Sequence, residues 1–405
     1  MAAQLIFPSP LNLPANVKLS PICFCTVLLG IFLGFLSPRL YAQGVVVNVD
    51  TLATVGIGPI NGPQGAMVTQ VLSTDLRRTS MITPVGGGSG DFLATGESTG
   101  SGLTGKLVNK KTGADVFTQT FSGTGRAPIH QFADAITLAV TGIPGFASSK
   151  LAFIATASGA KELYLADIDG ASARTITHDN TISASPSLSR DGSKLTYTSY
   201  KSGYPDVYLI DLSSGSRNRI AYFPGINSGP SFSPDGSQIA LTLSKDGNPE
   251  IYTMSTSGGS PNRITRTRGS ETSPSWSPTG DRLVYSSDDR GSPQLFISTA
   301  QGIGEMDHLV TGNSYCTKPD WSADGKSIAF TTRISGQFQI GVYDVVSRNA
   351  HLVTTNGGEN PVWTRDSRHL VYDNNGHLYL LDTASRQSLP IDMSISGCSE
   401  PALSR

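Results

Sequence analysis

The second half of the chain repeats one pattern of apolar and polar residues. Short segments with apolar residues at alternate positions, such as KLTYT from Lys194, are separated by polar turns. A proline opens each unit, and successive prolines are 44, 44, 45 and 42 residues apart: Pro186, Pro230, Pro274, Pro319 and Pro361. Four short strands in a period of this length are typical of a propeller blade. The pattern therefore predicts a series of four-stranded blades.

The two ends of this repeat complete each other. Residues 400–405 repeat only the first strand of a unit, whereas residues 150–154 resemble a second strand with no first strand before it. Six second strands begin with an apolar residue: Leu151, Leu195, Ile239, Leu283, Ile328 and Leu370. We therefore predict an all-β six-bladed β-propeller over residues 150–405. Its C-terminal strand pairs with the strand near Lys150, which leaves few free strand edges.

Residues 43–149 lack the repeat and alternate between strand and helix patterns, which predicts a small α/β domain. A strand is expected at residues 45–49, a helix from about Gly65 to Thr79, and three strands near Phe92, Leu103 and Val116. Apolar residues from Ile129 to Val140 recur at helical spacing, and Gly142 is suited to cap that second helix.

Residues 1–42 have the pattern of an export signal. An apolar run at residues 22–36 follows Lys18, and cleavage is expected after Ala42. An uncleaved membrane anchor is the alternative, because Leu40 is bulky for a cleavage site. With cleavage, we expect an exported protein that does not span the membrane and acts as a monomer.

Composition excludes some classes of partner and chemistry. A formal charge of −1 over 405 residues argues against nucleic acid as a partner, because proteins that bind it carry a basic face. Cys316 and Cys398 occupy equivalent positions two blades apart, which disfavours a disulfide between them. The six histidines are scattered singly, so we expect neither a metal site nor a cofactor.

One short motif resembles a hydrolase site. Residues 96–100, GESTG, match the G-x-S-x-G nucleophile elbow, with His130 and either Asp134 or Asp115 as possible partners of Ser98. An elbow requires a helix after the serine, but glycines and a strand-like run follow it here. We therefore predict no catalytic residues and no enzymatic activity.

Three passages together resemble the TolB family, the periplasmic component of the Tol–Pal envelope system of Gram-negative bacteria. The first is the helical stretch TQVLSTDLRRTSMITPV, and the second runs from HQFAD at His130 to TGIPGF at Thr141. The third is the blade phrase, as in SPSWSPTG from Ser273, with its terminal half repeat. The segment PVGGGSGD from Pro84 is shorter than the family's connecting region, which makes partner surfaces in this domain harder to transfer.

This resemblance implies a non-catalytic adaptor that supports outer-membrane integrity and constriction during cell division. It implies two partners, the peptidoglycan-associated lipoprotein at the propeller mouth and TolA at the mature N-terminus. The TolA strand would consist of Val45, Val46, Val47, Asn48, Val49 and Asp50. The lipoprotein-facing loops would contain Ile226, Asn227, Gly229, Glu271 and Thr272.

The residues themselves also allow plainer interpretations. The segment 45–50 could be an ordinary edge strand, and the loop residues could be simple turn formers. A propeller can also bind a small ligand or a cation in its channel, or gate an enzyme. The pattern of the sequence leaves these alternatives open.

Overall fold

The computed structural model describes residues 52–405, so the predicted signal segment 1–42 and the predicted strand at 45–49 lie outside the described residues. Two helices and five strands precede the repeats. Their bounds are β1 (Ala53–Asn61), α1 (Gly65–Arg78), β2 (Ile82–Gly86), β3 (Phe92–Thr99), β4 (Gly102–Asn109), β5 (Asp115–Ser122) and α2 (Ala127–Thr141).

These elements form an α/β domain around a five-stranded sheet of order β2-β1-β3-β4-β5. Strand β1 is parallel to both β2 and β3, and the remaining pairs are antiparallel. Helices α1 and α2 contact each other and bury Leu72, Leu76, Phe132 and Ile136 against the sheet. Gly142 ends α2 in the left-handed conformation, at a φ of 73°, as its predicted capping role requires.

The strand pattern did not reveal β1 or β2, although both helices and β3 to β5 occur where they were expected. Strand β1 contains Gly56, Gly58 and Pro59, which weaken any sequence signal for a strand. Gly56 is required by a close backbone approach, because a Cβ there would lie 2.1 Å from the Ser89 carbonyl oxygen. Only the folded chain brings these two segments together.

The repeats form six four-stranded sheets, which confirms the predicted six-bladed propeller. Blade 1 contains β9 (Ser183–Leu188), β10 (Lys194–Ser199), β11 (Asp206–Asp211) and β12 (Arg217–Ala221). Blade 2 contains β13 (Asn227–Phe232), β14 (Gln238–Leu243), β15 (Glu250–Ser255) and β16 (Asn262–Arg263). Blade 3 contains β17 (Glu271–Trp276), β18 (Arg282–Ser287), β19 (Gln294–Thr299) and β20 (Asp307–Leu309).

The remaining three blades complete the ring. Blade 4 contains β21 (Cys316–Trp321), β22 (Ser327–Ile334), β23 (Gln337–Asp344) and β24 (Asn349–Leu352). Blade 5 contains β25 (Glu359–Trp363), β26 (His369–Asn374), β27 (His377–Asp382) and β28 (Gln387–Pro390). Blade 6 joins β29 (Ser399–Leu403) to β6 (Lys150–Ala155), β7 (Glu162–Asp167) and β8 (Arg174–Thr175).

The closure of the ring is the predicted one. Strand β29 pairs antiparallel with β6, with Leu403 opposite Leu151 and Ala402 opposite Ala152. The Lys150 backbone N–H donates to Ser404 Oγ at 2.8 Å, which fastens the C-terminus to the start of the propeller. The blade is therefore built from both ends of the repeat region.

Apolar clusters extend from one blade to the next and hold the ring together. Trp321 and Trp363 are among the largest fully buried side chains. Cys316 and Cys398 are buried free thiols, in agreement with their predicted separation. Within residues 52–405, no helix combines the length and the apolar character that a membrane crossing requires.

Candidate functional site

The two ends of the propeller have different surroundings. The hairpins after each first strand and before each fourth strand lie at one end, because the strands of each blade are antiparallel. The α/β domain contacts hairpins at this end, through Arg126 to Asp167 at 3.2 Å and Asp134 to Arg365 at 4.0 Å. We call this the domain end and the opposite one the distal end.

A ring of six residues in the left-handed backbone conformation lines the central channel toward the distal end. Each stands immediately before the proline of a first strand, with φ between 48° and 58°: Ser185, Gly229, Ser273, Lys318, Asn360 and Glu400. The register of each first strand shifts at this point, as in a bulge. The recurrence of this costly conformation in every blade shows that the fold imposes it.

The ring carries opposite charges on two blades. Lys318 Nζ lies 3.9 Å from Glu400 Oε2, which also accepts the Ser185 backbone N–H at 2.8 Å. Behind the ring, Asp373 accepts hydrogen bonds from the Asn360 side chain at 2.8 Å and from the Glu400 backbone at 3.1 Å. Burial raises the pKa of Asp373 to about 7. The central channel contains a cavity of about 210 Å³, and its rim toward the distal end is polar.

At the domain end of the channel, Asp320 and Arg405 bind each other across the ring. The guanidinium of the C-terminal residue contacts the Asp320 carboxylate and donates to the Trp321 carbonyl at 2.8 Å. Asp320 also accepts the Trp363 backbone N–H at 2.7 Å and the Ser275 hydroxyl at 3.3 Å. One carboxylate thus connects blades 3, 4, 5 and 6.

The predicted lipoprotein-facing residues are all at the distal end, but two of them are buried. Ile226 is 41% exposed, whereas Asn227 and Glu271 are fully buried. The Asn227 amide donates to the Phe223 carbonyl at 2.8 Å and accepts the Phe223 N–H at the same distance. Buried side chains such as Asn227 stabilise the connections between blades and do not belong to the exposed surface.

Glu271 has the same role in the next connection. It accepts hydroxyl hydrogen bonds from Thr267 at 2.7 Å and from Ser287 at 2.5 Å.

The other predicted loop residues, Gly229 and Thr272, are half-buried. The predicted TolA segment, Val45 to Asp50, lies outside the described residues.

A patch of exposed aromatic and aliphatic residues at the distal end was missed by the sequence interpretation. The distal patch comprises Ile182, Tyr200, Tyr204, Tyr222 and Ile226, of which Tyr204 is 75% and Tyr222 60% exposed. Backbone hydrogen bonds link its loops, from Tyr200 to Ile182 at 3.0 Å and from Asn227 to Pro205 at 3.3 Å. The available signal was the presence of tyrosines inside polar turns such as SYKSGYP from Ser199.

The junction between the α/β domain and the propeller centres on a buried histidine. His130 Nδ1 lies 2.7 Å from Asp75 Oδ2, and its Nε2 lies 3.6 Å from Asp167 Oδ2 in the β7–β8 hairpin. Arg126 contacts both Asp167 and Asp169. Among the described residues, His130, Asp167 and Asp169 form the one group with the dimensions of a metal site, but the Arg126 guanidinium contacts both of its carboxylates.

The electrostatics of this junction assign a proton to the imidazole. Burial lowers the pKa of His130, but hydrogen bonds and attraction from Asp167 and Asp75 outweigh it and raise that pKa to about 9. Burial raises the pKa of Asp75, and His130 opposes that rise. We assign the charge to His130 because two carboxylates face one imidazole.

Ser98 has a structural position and lacks the context of a nucleophile. Its hydroxyl donates to the Asn61 carbonyl at 3.0 Å and accepts the Gln64 N–H at 3.1 Å. Strand β3, which contains Ser98, continues through a tight turn into β4 and not into a helix. The serine therefore holds the connection between β1 and α1.

Comparison with known proteins agrees with this architecture. Residues 138–405 match the family described as TolB beta propeller domain. The "Protein TolB homolog" of Chlorobium chlorochromatii is 29% identical over 165 residues, which are 39% of this chain and 37% of that protein. The "Tol-Pal system protein TolB" of Geobacter metallireducens is 38% identical over 90 residues, which are 22% of this chain and 21% of that protein.

A solved structure extends the similarity over most of the chain. The crystal structure of TolB from Acinetobacter baumannii superposes with a TM-score of 0.77 at 28% identity, covering 88% of this chain and 97% of that one. The matched part of the Chlorobium relative is well under two thirds of its length, whereas the fold correspondence is nearly complete. This chain belongs to the TolB propeller family.

Proposed function

We propose that this chain is a non-catalytic periplasmic component of a Tol–Pal system that binds a peptidoglycan-associated lipoprotein at the distal end of its propeller. The name of the Geobacter relative supports the assignment to this system. The choice of this surface rests on the position of the distal patch, which lies at the end opposite to the α/β domain contacts. The proposal includes a role in outer-membrane integrity and in constriction during division.

The distal patch has the properties of a protein-binding surface. Exposed tyrosines provide large apolar area with few rotatable bonds, and they are enriched among residues that dominate binding energy. The Arg219 guanidinium lies 4.5 Å from the centre of the Tyr222 ring and keeps that ring in place. Rigid strands hold the surrounding loops, so little conformational freedom is lost on binding.

The same proposal assigns TolA to the N-terminal segment Val45 to Asp50. This assignment rests on the sequence resemblance to the family. The segment directly precedes β1, the strand that pairs with both β2 and β3 of the α/β domain. A single chain would then have two partners and could bridge them.

Replacing Tyr204 and Tyr222 together with alanine is expected to weaken lipoprotein binding at least tenfold, because two anchors of the distal patch are lost. Titration of the purified lipoprotein against each variant measures this effect. Ile303→Ala is the matched control, since Ile303 is 74% exposed in the hairpin before β20, at the domain end. Equal affinities for all three proteins would contradict the assignment of the distal patch.

Deleting residues 43–50 is expected to abolish TolA binding and to leave lipoprotein binding unchanged. Pull-downs from envelope extract with the full mature chain and the truncated chain, followed by mass spectrometry, measure both at once. Recovery of TolA by the truncated chain would contradict the role of the N-terminal segment. Recovery of neither partner by the full mature chain would contradict the proposed function as a whole.

A further inference from the structure

Two buried carboxylates face each other at the distal end, where blade 2 connects to blade 3. Glu250 begins β15 and Glu271 begins β17, and both side chains are fully buried. Both carboxyl groups bind the same residue, Thr267, which places them next to each other. Glu250 Oε2 is buried and finds no N–H or O–H donor elsewhere in the described part of the chain. A proton held between the two carboxyl groups would supply that missing donor.

Both acids hold the connection that separates them, residues 264–270. The Thr267 backbone N–H donates to Glu250 Oε1 at 3.0 Å, and the Thr267 hydroxyl donates to Glu271 at 2.7 Å. Asn248 donates to Glu250 at 3.2 Å and to the Thr267 carbonyl at 3.1 Å. The position of Thr267 therefore depends on the state of both carboxyl groups.

Other blade junctions show that the fold does not require two acids here. The equivalent pairs are Asp206 with Asn227, Glu162 with Ser183, and Gln294 with Cys316, each with at least one neutral member. In blade 4, the Gln339 amide oxygen accepts hydrogen bonds from the Thr354 hydroxyl at 2.9 Å and from the Gly357 N–H at 3.2 Å. An amide can thus cap the corresponding connection in the same fold.

Both acidic and basic groups surround this pair. Arg263 donates to Glu250 at 2.7 Å and lies 3.9 Å from Asp246. Asp288 and Asp289 accept backbone N–H groups of the connection, from Ser270 at 2.6 Å and from Arg268 at 3.1 Å. Further titratable or charged neighbours are the phenols of Tyr285 and Tyr252, Lys245 beside Asp246, and the exposed Arg266 and Arg268.

The direction of the proton linkage follows from this environment. Burial raises the pKa of Glu271 from its ordinary 4.5 to about 7, hydroxyls from Ser287 and Thr267 oppose the rise, and Glu250 adds to it. A raised folded-state pKa means that the folded chain holds this proton more tightly than the unfolded chain. The resulting stabilisation is complete below pH 4.5 and is lost as the pH rises through about 7.

We propose that Glu250 and Glu271 share one proton and that its loss releases the 264–270 connection at the distal end. Two adjacent ionised carboxylates repel each other, because Arg263 is the one cation bonded directly to them within residues 52–405, and Thr267 loses its fixed position. The consequence for partner binding rests on the proposed function: lipoprotein affinity is highest in mildly acidic solution and falls toward alkaline pH. The pair of carboxyl groups therefore responds to the pH of the surrounding compartment.

Hydrogen–deuterium exchange of the full mature chain at pH 6 and pH 8 tests the shared proton. After correction for intrinsic exchange rates, protection of residues 265–270 is expected to fall at least tenfold between the two pH values in the unaltered protein. In Glu271→Gln, protection is expected to be equal at both, because the pair can no longer carry two charges. If Glu271→Gln fails to fold, Glu250→Gln tests the shared proton instead, because it removes the same pair of charges.

Glu359→Gln is the matched control. Glu359 occupies the position of Glu271 in blade 5 but is exposed, so its variant should retain the pH response of residues 265–270. A connection with equal protection at pH 6 and pH 8 in the unaltered protein would overturn the proposal, as would a full pH response in Glu271→Gln.

Titrations with purified lipoprotein at the same two pH values test the consequence for binding. We expect affinity to fall severalfold from pH 6 to pH 8 in the unaltered protein and to stay constant in Glu271→Gln. If no lipoprotein binds at either pH, the proposed function fails, and the exchange experiment alone decides whether the proton is shared. If binding occurs with the same pH dependence in both proteins, the regulatory consequence is wrong.

Discussion

Asp320→Ala is expected to lower the free energy of unfolding by about 4 kcal/mol, because it leaves a partly buried guanidinium without its carboxylate. Asp320 accepts hydrogen bonds from Ser275, Trp363 and Arg405, which belong to three other blades. Its removal also leaves the buried Trp363 N–H without an acceptor, which adds the cost of an unsatisfied donor. The effect is large because one side chain fastens most of the ring.

A double-mutant cycle with Arg405→Ala tests this explanation. Burial raises the pKa of Asp320, and Arg405 opposes the rise together with the Trp363 N–H and the Ser275 hydroxyl, so the single Arg405 variant leaves a buried carboxylate without its counter-charge. The double variant should lose clearly less stability than the sum of the two single variants. Additive losses in urea-induced unfolding would show that the pair does not act as a unit.

Ser231→Ala is the control for position in the ring. Ser231 occupies the site of Asp320 in blade 2, and its backbone carbonyl is the group that accepts the Trp276 indole N–H at 3.0 Å. Truncation of its hydroxyl keeps that contact. We expect a change within about 0.5 kcal/mol, the range of substitutions that break no special interaction.

His130→Gln is expected to destabilise the protein by about 3 kcal/mol at pH 6, with a difference that fades above pH 9. The pKa of His130 in the folded chain is about 9, above its ordinary 6.5, because Asp75 and Asp167 favour the charged imidazole. Stabilisation from a raised histidine pKa is complete below pH 6.5 and is lost as the pH rises to about 9. The variant has no proton to lose over this range.

Urea unfolding of both proteins at pH 6, 8 and 10 measures the linkage. His377→Gln is the control, since His377 is exposed at the start of β27, and its variant should match the unaltered protein at every pH. A constant difference between His130→Gln and the unaltered protein from pH 6 to pH 10 would show that the charge on His130 does not stabilise the junction.

The success of the fold prediction has a local physical cause. A blade is one supersecondary unit, so its strand alternation and its turn residues recur at each repeat and can be counted along the chain. The Asp-Gly turns adopt the expected positive angles, with φ of 66° at Gly192 and 70° at Gly236. Strand β1 left no such signal, because Gly56 allows a close backbone approach and Pro59 lies where the register between β1 and β3 shifts.

The candidate site was predictable only in its location. The loops before the blade prolines were assigned to the propeller mouth, and they lie at the distal end. Which of their side chains face outward depends on neighbouring blades: Asn227 turns inward to cap its own connection, while Tyr204 of the previous blade is exposed beside it. Exposure is a property of packing between units, and a repeat pattern describes each unit alone.

The sequence by itself determined the number of blades, the strand that closes the ring and the family, because these follow from local periodicity and from short motifs. Tertiary structure decided the rest. It brought His130 to Asp167, Arg405 to Asp320 and Glu250 to Glu271, pairs whose partners are between 21 and 85 residues apart. Charge pairs of this kind depend on distances of a few ångströms, and those distances arise only when six blades and one α/β domain have closed around them.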